Sequence, residues 1–293
     1  MINPELRKLY PFESHVLRIG GYRYHYLDEG RGEEALVMLH GNPTWSFYYR
    51  HLVLAFRDRY RVIVPDHMGC GLSDKPQSYR YQLDQHISNL ERLLETLQVT
   101  QLTLVMHDWG GAIGMGYAVR HPERIKRLVV FNTAAFRSSK IPLRINLCRI
   151  PVVGDIAVRL FNGFAGGAIY MATTKRMAPG VKAGYLLPYN SYRNRIATLR
   201  FVQDIPLEAR HPSYSTLVEI EQGLHQFKNH PMLIIWGNKD WCFTRDHFLL
   251  RWKARFPQAE IHEFEDAGHY VVEDAHERII PLMELFLQKD NIG

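Results

Sequence analysis

The sequence has few cysteines and no segment suited to export. Its 293 residues include three cysteines, at positions 70, 148 and 242, an odd number without paired spacing. That usage is typical of free thiols in a reducing compartment. The stretch from Met1 to His15 is polar and contains proline, so it lacks the apolar core of a signal peptide or a spanning helix. These absences predict a cytoplasmic protein without disulfide bonds.

Metal, cofactor and nucleic-acid motifs are also missing. The histidines and cysteines show neither an H-E-x-x-H motif nor a Cys/His ligand spacing, so we predict no metal site. The first strand carries no glycine-rich dinucleotide loop, and we predict no cofactor. The net charge of +6 is modest, and without a DNA- or RNA-binding motif it indicates no nucleic-acid partner.

What the sequence does have is an alternation of β-type and helical apolar runs. At 46% hydrophobic residues, the chain can form one α/β domain with a mostly parallel sheet covered by helices. The alternation pauses between residues 134 and 213, where a Pro-, Gly- and aromatic-rich stretch predicts short helices. We therefore predict a core of residues 1–133 and 214–293, interrupted by a helical cap of residues 134–213.

An aspartate stands where one of the predicted strands ends. Asp108 follows the apolar run 102–106 and precedes Trp109, Gly110 and Gly111 at the start of a small-residue helix. Glycines at such a strand-turn-helix elbow let the backbone expose the central side chain, which is serine in the usual G-x-S-x-G form. A carboxylate at this position can displace a leaving group and form an ester. The competing interpretation is a helix N-cap, with the glycines serving close packing.

Four other polar segments follow predicted strands. The turn-rich stretch 66–74 after the strand 61–65 is interpreted as a structural turn. Segment 40–45 occupies the place of an oxyanion-hole loop, segment 236–240 brings Asp240 to a strand end, and segment 266–269 brings His269 into a glycine turn. The chain order is then nucleophile, acid and histidine, which is the order in α/β hydrolases.

The histidine and its acid partner have competitors. His262 alternates within a strand and His107 flanks the aspartate, so neither is expected to face a water molecule beside Asp108. The end of the predicted sixth strand, residues 130–133, holds no carboxylate. That leaves Asp240 as the partner of His269, because Asp266 lies too close to His269 in sequence.

Together these motifs resemble the haloalkane dehalogenase group of α/β hydrolases, in which H-G-N-P-T-x-S and H/Q-D-W-G-G occur together. The resemblance implies an α/β-hydrolase fold with a mostly parallel eight-stranded sheet, helices on both faces and an inserted helical cap. It also implies Asp108 as nucleophile, His269 and Asp240 as the water-activating pair, and Asn42 and Trp109 as the groups that stabilise the leaving group or oxyanion.

Four stretches resemble more closely the β-lactone decarboxylases of bacterial long-chain olefin biosynthesis. They are residues 40–50, 65–73, 132–136 and 194–206. This resemblance implies conversion of a cis-3-alkyl-4-alkyl-oxetan-2-one into a cis-alkene and CO2, and an assembly with other enzymes of the pathway. Attack at the ring carbon and attack at the carbonyl both remain open, and so does the role of His269.

Three alternative functions remain. Haloalkane dehalogenation needs the same groups and in addition a water molecule in every turnover. Epoxide hydrolases also use an aspartate nucleophile, with cap tyrosines as acids, but Asn42 stands where that family usually has an aromatic residue. The cap tyrosines in question are Tyr170, Tyr185, Tyr189, Tyr192 and Tyr214. A non-catalytic binding role is the third alternative, because fold alone does not establish activity.

The predicted cap has a basic and apolar stretch between residues 137 and 161. One interpretation is a lid whose apolar side covers the pocket while its basic side is solvated. The other is contact with an anionic membrane surface or a partner protein. The basic residues are Arg137, Lys140, Arg144, Arg149 and Arg159; the apolar ones are Ile141, Leu143, Ile145, Leu147, Ile150, Val152, Val153, Ile156, Leu160 and Phe161.

Overall fold

The computed structural model describes residues 4–289, so the first three residues of the predicted polar N-terminal stretch lie outside the description. The strands are β1 (His15–Ile19), β2 (Tyr22–Glu29), β3 (Ala35–Leu39), β4 (Arg61–Pro65), β5 (Leu102–Asp108), β6 (Ile125–Thr133), β7 (Met232–Gly237) and β8 (Glu260–Phe264). The helices are α1 (Pro4–Leu9), α2 (Arg50–Phe56), α3 (Leu83–Thr96), α4 (Trp109–Arg120), α5 (Leu143–Arg149), α6 (Gly163–Met171), α7 (Pro179–Leu186), α8 (Ile196–Gln203), α9 (Tyr214–Gly223), α10 (Leu250–Arg255) and α11 (Val271–Gln288).

All eight strands form one sheet, in the order β1-β2-β4-β3-β5-β6-β7-β8. Among the strand pairs of residues 4–289, β1–β2 and β2–β4 are antiparallel and the others are parallel. Every residue of β3 and β5 is buried, as expected for strands covered on both faces of a parallel sheet. The predicted mostly parallel eight-stranded sheet is confirmed, and the carboxyl ends of β3, β5, β6, β7 and β8 meet at one edge.

Helices cover both faces of the sheet. Helices α3, α4, α9 and α10 contribute to one apolar cluster, and α2 and α11 contribute to the other. The helix predicted between residues 46 and 56 is divided into a 3-10 turn (Ser46–Tyr49) and α2. That turn is held by the Asp66 carboxylate, which accepts a hydrogen bond from the Ser46 N–H at 2.7 Å.

The chain between β6 and α9 is helical wherever it is regular. It contains α5 to α8, a π-helical segment (Asp155–Leu160) and two 3-10 turns (Leu187–Tyr189 and Arg193–Arg195). Asn42 Nδ2, in the loop after β3, donates a hydrogen bond to the Thr198 carbonyl of α8. This contact shows that the segment lies over the carboxyl ends of the strands. Within residues 4–289, no helix has the length and apolar character needed to cross a membrane.

Candidate active site

Asp108 lies at a sharp turn between β5 and α4. Its backbone has φ 51° and ψ −125°, a conformation that L-residues rarely adopt and that marks the strained elbow of this fold. Gly41 allows the approach of the neighbouring loop, since a Cβ there would overlap the Asp108 carboxylate. Thr133 Oγ1, at the end of β6, donates a hydrogen bond to the Asp108 carbonyl. The expected elbow is present, and it aims the carboxylate toward the cap.

The two oxygens of the Asp108 carboxylate have different surroundings. Oδ1 accepts a hydrogen bond from the Asn42 backbone N–H at 2.7 Å, and the Trp109 backbone N–H also donates to the carboxylate. Oδ2 lies 3.6 Å from His269 Nε2. Burial raises the pKa of the Asp108 carboxyl, although the positive charge of His269 and the two backbone donors oppose the shift. Oδ1 is therefore held by a backbone donor, while Oδ2 faces the imidazole of His269.

His269 connects Asp108 to a second carboxylate. It lies in the loop after β8, and its Nδ1 is 2.8 Å from Asp240 Oδ2. Burial lowers the pKa of His269, but the charges of Asp240 and Asp108 outweigh burial, and the pKa is raised overall. The Phe243 ring stacks on the imidazole with centroids 5.6 Å apart and planes at 15°. The structure therefore brings together the three residues of the predicted triad.

Asp240 is held in place by Asn132, a residue for which the sequence predicted no contact with the acid. Asn132, buried at the end of β6, donates from Nδ2 to Asp240 Oδ2 and to the Gly237 carbonyl, both at 3.0 Å. Its Oδ1 accepts a hydrogen bond from the Gly237 N–H at 2.8 Å. The other Asp240 oxygen accepts from the backbone N–H groups of Cys242 and Phe243, at 2.6 and 3.0 Å. The sequence held one signal for this contact: Asn132 stands at the end of a predicted strand, as the loop of Asp240 does.

The side chains of Asn42 and Trp109 flank the Asp108 carboxylate. Asn42 Nδ2 donates to the Thr198 carbonyl of α8 at 3.1 Å, which leaves its second N–H free for another acceptor. The Trp109 ring packs against Phe201 with centroids 5.2 Å apart and lines the cavity above Asp108. Both residues therefore border the same cavity as Asp108, and their role toward a leaving group stays a prediction. Asn42 also connects the loop after β3 to α8.

Two apolar chambers meet at Asp108. The first has a volume of about 140 Å³ and includes Trp109, Phe136 and Leu217 in its wall. The second has a volume of about 140 Å³ and includes His269 and Met171 in its wall. Five residues line both chambers: Asn42, Asp108, Ile145, Phe164 and Cys242. Asp108 therefore borders two apolar spaces, and Ile145 of α5 and Phe164 of α6 belong to the walls of both.

The competing histidines and the competing acid bind other partners. His107 Nε2 is 2.9 Å from the His269 carbonyl oxygen, so the ring faces the backbone. His262 pairs with Glu260 in β8 at 2.9 Å, and Asp266 pairs with Arg278 at the surface at 2.8 Å. Asp66 accepts hydrogen bonds from Ser46 and Leu72. The interpretation of segment 66–74 as a structural turn is confirmed.

The tyrosines of the cap do not line the two chambers. Tyr185 donates to Glu273 and Tyr189 donates to the Thr44 carbonyl, which fixes both to the core. Tyr170 and Tyr192 are exposed, at 68% and 44%. Neither chamber includes a tyrosine between residues 134 and 214 in its wall. An epoxide hydrolase needs such a residue beside the aspartate to protonate the opening ring, so the geometry disfavours that function.

Comparison with known proteins identifies the family. The pattern of the alpha/beta hydrolase fold matches residues 34–147 and 182–275. The chain belongs to the α/β-hydrolase family. The two matched segments include Asn42, Asp108, Asp240 and His269, and they leave out residues 148–181.

This α/β hydrolase is similar over nearly its whole length to curated enzymes. A cis-3-alkyl-4-alkyloxetan-2-one decarboxylase of Shewanella oneidensis is 48% identical over 96% of this chain and 90% of the relative. A decarboxylase of the same name from Xanthomonas campestris pv. campestris is 44% identical over 92% of this chain and 94% of the relative. Haloalkane dehalogenase 2 of Mycobacterium tuberculosis is 34% identical over 93% of this chain and 94% of the relative.

Solved structures of haloalkane dehalogenases share the fold of this α/β hydrolase. The crystal structure of the dehalogenase DatA from Agrobacterium tumefaciens C58 has a TM-score of 0.84 and 25% identity, and covers 94% of this chain and 96% of that chain. The dehalogenase DbeA from Bradyrhizobium elkani has a TM-score of 0.87 at 21% identity, covering 96% and 100%. The predicted α/β-hydrolase fold is confirmed.

Proposed function

We propose that this α/β hydrolase is a β-lactone decarboxylase that converts cis-3-alkyl-4-alkyl-oxetan-2-ones into cis-alkenes and CO2. Identities of 48% and 44% to two decarboxylases of that name, against 34% to a dehalogenase, support the assignment. The observation that carries it is the pair of apolar chambers meeting at Asp108. A lactone ring at the junction directs one alkyl arm into each chamber, whereas a simple haloalkane has one arm.

In the proposed reaction Asp108 is the nucleophile. Its Oδ2 attacks ring carbon C4, the C4–O1 bond breaks, and the electron pair stays on O1 as part of a new carboxylate. The bond between C3 and this carboxylate then breaks, its electrons form the C3–C4 double bond, and the C4–Oδ2 bond returns its electrons to Asp108. Inversion at C4 followed by anti elimination gives the cis-alkene. The cycle consumes neither water nor a redox partner.

The remaining groups stabilise charge in this scheme. Asn42 and Trp109 are proposed to hold the carboxylate released from the ring, because both side chains border Asp108 at the first chamber. Preorganised donors of this kind act most strongly where water is excluded. His269, with its pKa raised by Asp240 and Asp108 against the effect of burial, is proposed to balance the negative charge beside Oδ2.

Haloalkane dehalogenation is the second candidate, and one distance favours it. His269 Nε2 lies 3.6 Å from Asp108 Oδ2, which places the imidazole close enough to direct a water molecule at an alkyl ester. In that reaction the halide would leave toward Asn42 and Trp109, and the Asp240–His269 pair would activate the water. The two functions differ in whether the imidazole must act as a base.

The deciding experiment gives the purified protein a cis-dialkyl-β-lactone and, separately, a 1-bromoalkane or 1-iodoalkane, with Asp108→Ala as the blank. We expect Asp108-dependent alkene formation to be much faster than halide release. Halide release without alkene would identify the protein as a dehalogenase. Equal alkene formation by Asp108→Ala would refute the role of the aspartate.

A matched pair of variants tests the chamber argument. Ala134→Phe narrows the first chamber and Ala168→Phe narrows the second. We expect each variant to raise the KM for a dialkyl lactone, and each to spare a lactone that lacks one of the two arms. If both variants leave the KM for the dialkyl lactone unchanged, the arms do not occupy the two chambers.

Partners and location belong to the same proposal. The apolar chambers support an apolar small-molecule substrate, and the three free thiols support a reducing, cytoplasmic location. We further propose an assembly with the enzymes that supply the lactone. A mixture of the purified enzymes that elutes as separate components in gel filtration would contradict this assembly.

A further inference from the structure

The cap carries an uncovered apolar surface. We call the exposed side chains between residues 143 and 161 the cap ridge: Leu143, Leu147, Ile150, Val152, Val153, Ile156, Leu160 and Phe161. Leu143, Val152 and Phe161 are 74%, 67% and 73% exposed. These residues come from one continuous segment formed by α5, the following turn, the π-helical segment 155–160 and Phe161 directly after it. Contiguous exposed apolar side chains of this kind mark a binding surface.

The orientation of α5 shows which apolar side chains of this stretch cover the chambers and which do not. Ile145 points inward, is buried, and lines both chambers above Asp108. Leu143 and Leu147, on the same helix, point outward and are exposed. Some apolar side chains of this stretch therefore cover the chambers and others do not. The others face away from the substrate and have no partner among residues 4–289 that buries them.

The segment that contains the cap ridge is strongly positive. Residues 134–213 contain twelve Lys and Arg against three Asp and Glu, a balance of +9 in a chain whose total is +6. Asp155 is the single acidic residue between positions 134 and 203, and it is neutralised by Arg159 at 2.9 Å. Lys140 and Arg144 are exposed and make no ion pair with any described residue. The ridge thus combines insertable apolar groups with uncompensated positive charge.

We propose that the cap ridge docks this protein on an anionic lipid surface. Apolar side chains flanked by Lys and Arg are the combination that binds the interface of acidic membranes, by burial of the apolar groups and by attraction to the headgroups. The positive charge of the cap ridge favours an anionic binding partner. Within the described part of the cap, the ridge has no unpaired acidic side chain that could bind a basic partner. This inference extends the proposed function without depending on which substrate the chambers take.

The cap ridge lies next to the walls of both chambers, so docking would affect where the chambers face. Lys140 borders the first chamber and Arg144 borders the second, and these two residues flank Leu143 at the start of α5. Arg144 also stacks over the Trp241 ring at 4.6 Å. Docking through the ridge would therefore bring the outer walls of both chambers to the lipid surface, where an apolar substrate is concentrated.

Vesicle co-sedimentation tests the proposal. The purified full-length protein is mixed with phosphatidylglycerol/phosphatidylcholine vesicles and with phosphatidylcholine vesicles alone. We expect binding to the anionic vesicles, and binding weakened by roughly tenfold or more in the double variant Leu143→Gln/Phe161→Gln. Leu285→Gln is the matched control, since Leu285 is 61% exposed in α11 on the core. Raising the salt from about 0.1 M to several times that concentration should also weaken binding.

The outcomes separate membrane docking from the other possibilities. Equal vesicle binding by the double variant and by Leu285→Gln would overturn the proposal, and so would the absence of binding to anionic vesicles. If the ridge variant instead loses association with a purified pathway enzyme, the surface is a protein interface and lipid docking is refuted. Turnover of a detergent-dispersed substrate should be unchanged in the double variant. The turnover measurement therefore distinguishes a loss of docking from a loss of the proposed reaction.

Discussion

Replacing Asn132 by leucine tests how the acid of the triad is held. Leucine has a similar volume but removes three buried hydrogen bonds, one to the Asp240 carboxylate and two to the backbone of Gly237. A hydrogen bond to a charged group contributes about 2 kcal/mol and each neutral one about 1 kcal/mol. The free energy of unfolding should therefore fall by roughly 4 kcal/mol, which corresponds to a Tm lower by about 6 °C for a chain of this size.

The activity of the same variant should fall as well. With Asn132 removed, Asp240 keeps its backbone donors but is free to turn away from His269 Nδ1. Misplacement of a catalytic group by about 1 Å can lower the rate on the order of 100-fold. Urea or thermal denaturation measures the first effect, and turnover of the dialkyl lactone measures the second.

Asn89→Leu is the control for this prediction. Asn89 is also a buried asparagine, but it bonds Tyr79 and Gln85 at a distance from the site. This variant should lose stability and retain normal turnover per folded molecule. The reasoning is refuted if Asn132→Leu unfolds within about 1 kcal/mol of the parent and turns over at the parent rate.

Four further predictions concern the site. Asp108→Asn should abolish turnover yet raise the Tm near neutral pH. Burial raises the pKa of this carboxyl, so its ionisation above the ordinary pKa destabilises the folded protein. An unchanged or lower Tm would show that the ionised carboxylate does not destabilise the fold. His269→Ala treated with a 1-iodoalkane should accumulate an alkyl ester on Asp108 if the protein is a dehalogenase, visible in the intact mass, whereas we expect no lasting adduct with the lactone. Haloalkane hydrolysis, where present, should decline as the pH falls below the raised pKa of His269, since water activation needs the neutral imidazole; alkene formation should lack this dependence. Repeated lactone turnover in ¹⁸O-water should leave the Asp108 peptide unlabelled, and label there would indicate a hydrolytic cycle.

Much of the core was predictable because its signals are local. The apolar runs 35–39 and 102–106 have the length and composition of fully buried strands, and the glycines after Asp108 indicate a tight elbow. Chain order then predicted the acid and the histidine, because the carboxyl ends of parallel strands meet at one edge of the sheet. The limits of the helices were less predictable, as the 3-10 turn before α2 illustrates.

The sequence by itself determined which chemical groups are available, in which order, and on which kind of element: a carboxylate at an elbow, an acid after β7 and a histidine after β8. Only the tertiary structure decided the contacts that are distant along the chain. Asn132 meets Asp240 across 108 positions and Asn42 meets Thr198 across 156. It also decided that Ile145 faces the chambers while Leu143 faces outward, because the packing of α5 on the core selects one face of the helix and composition alone does not.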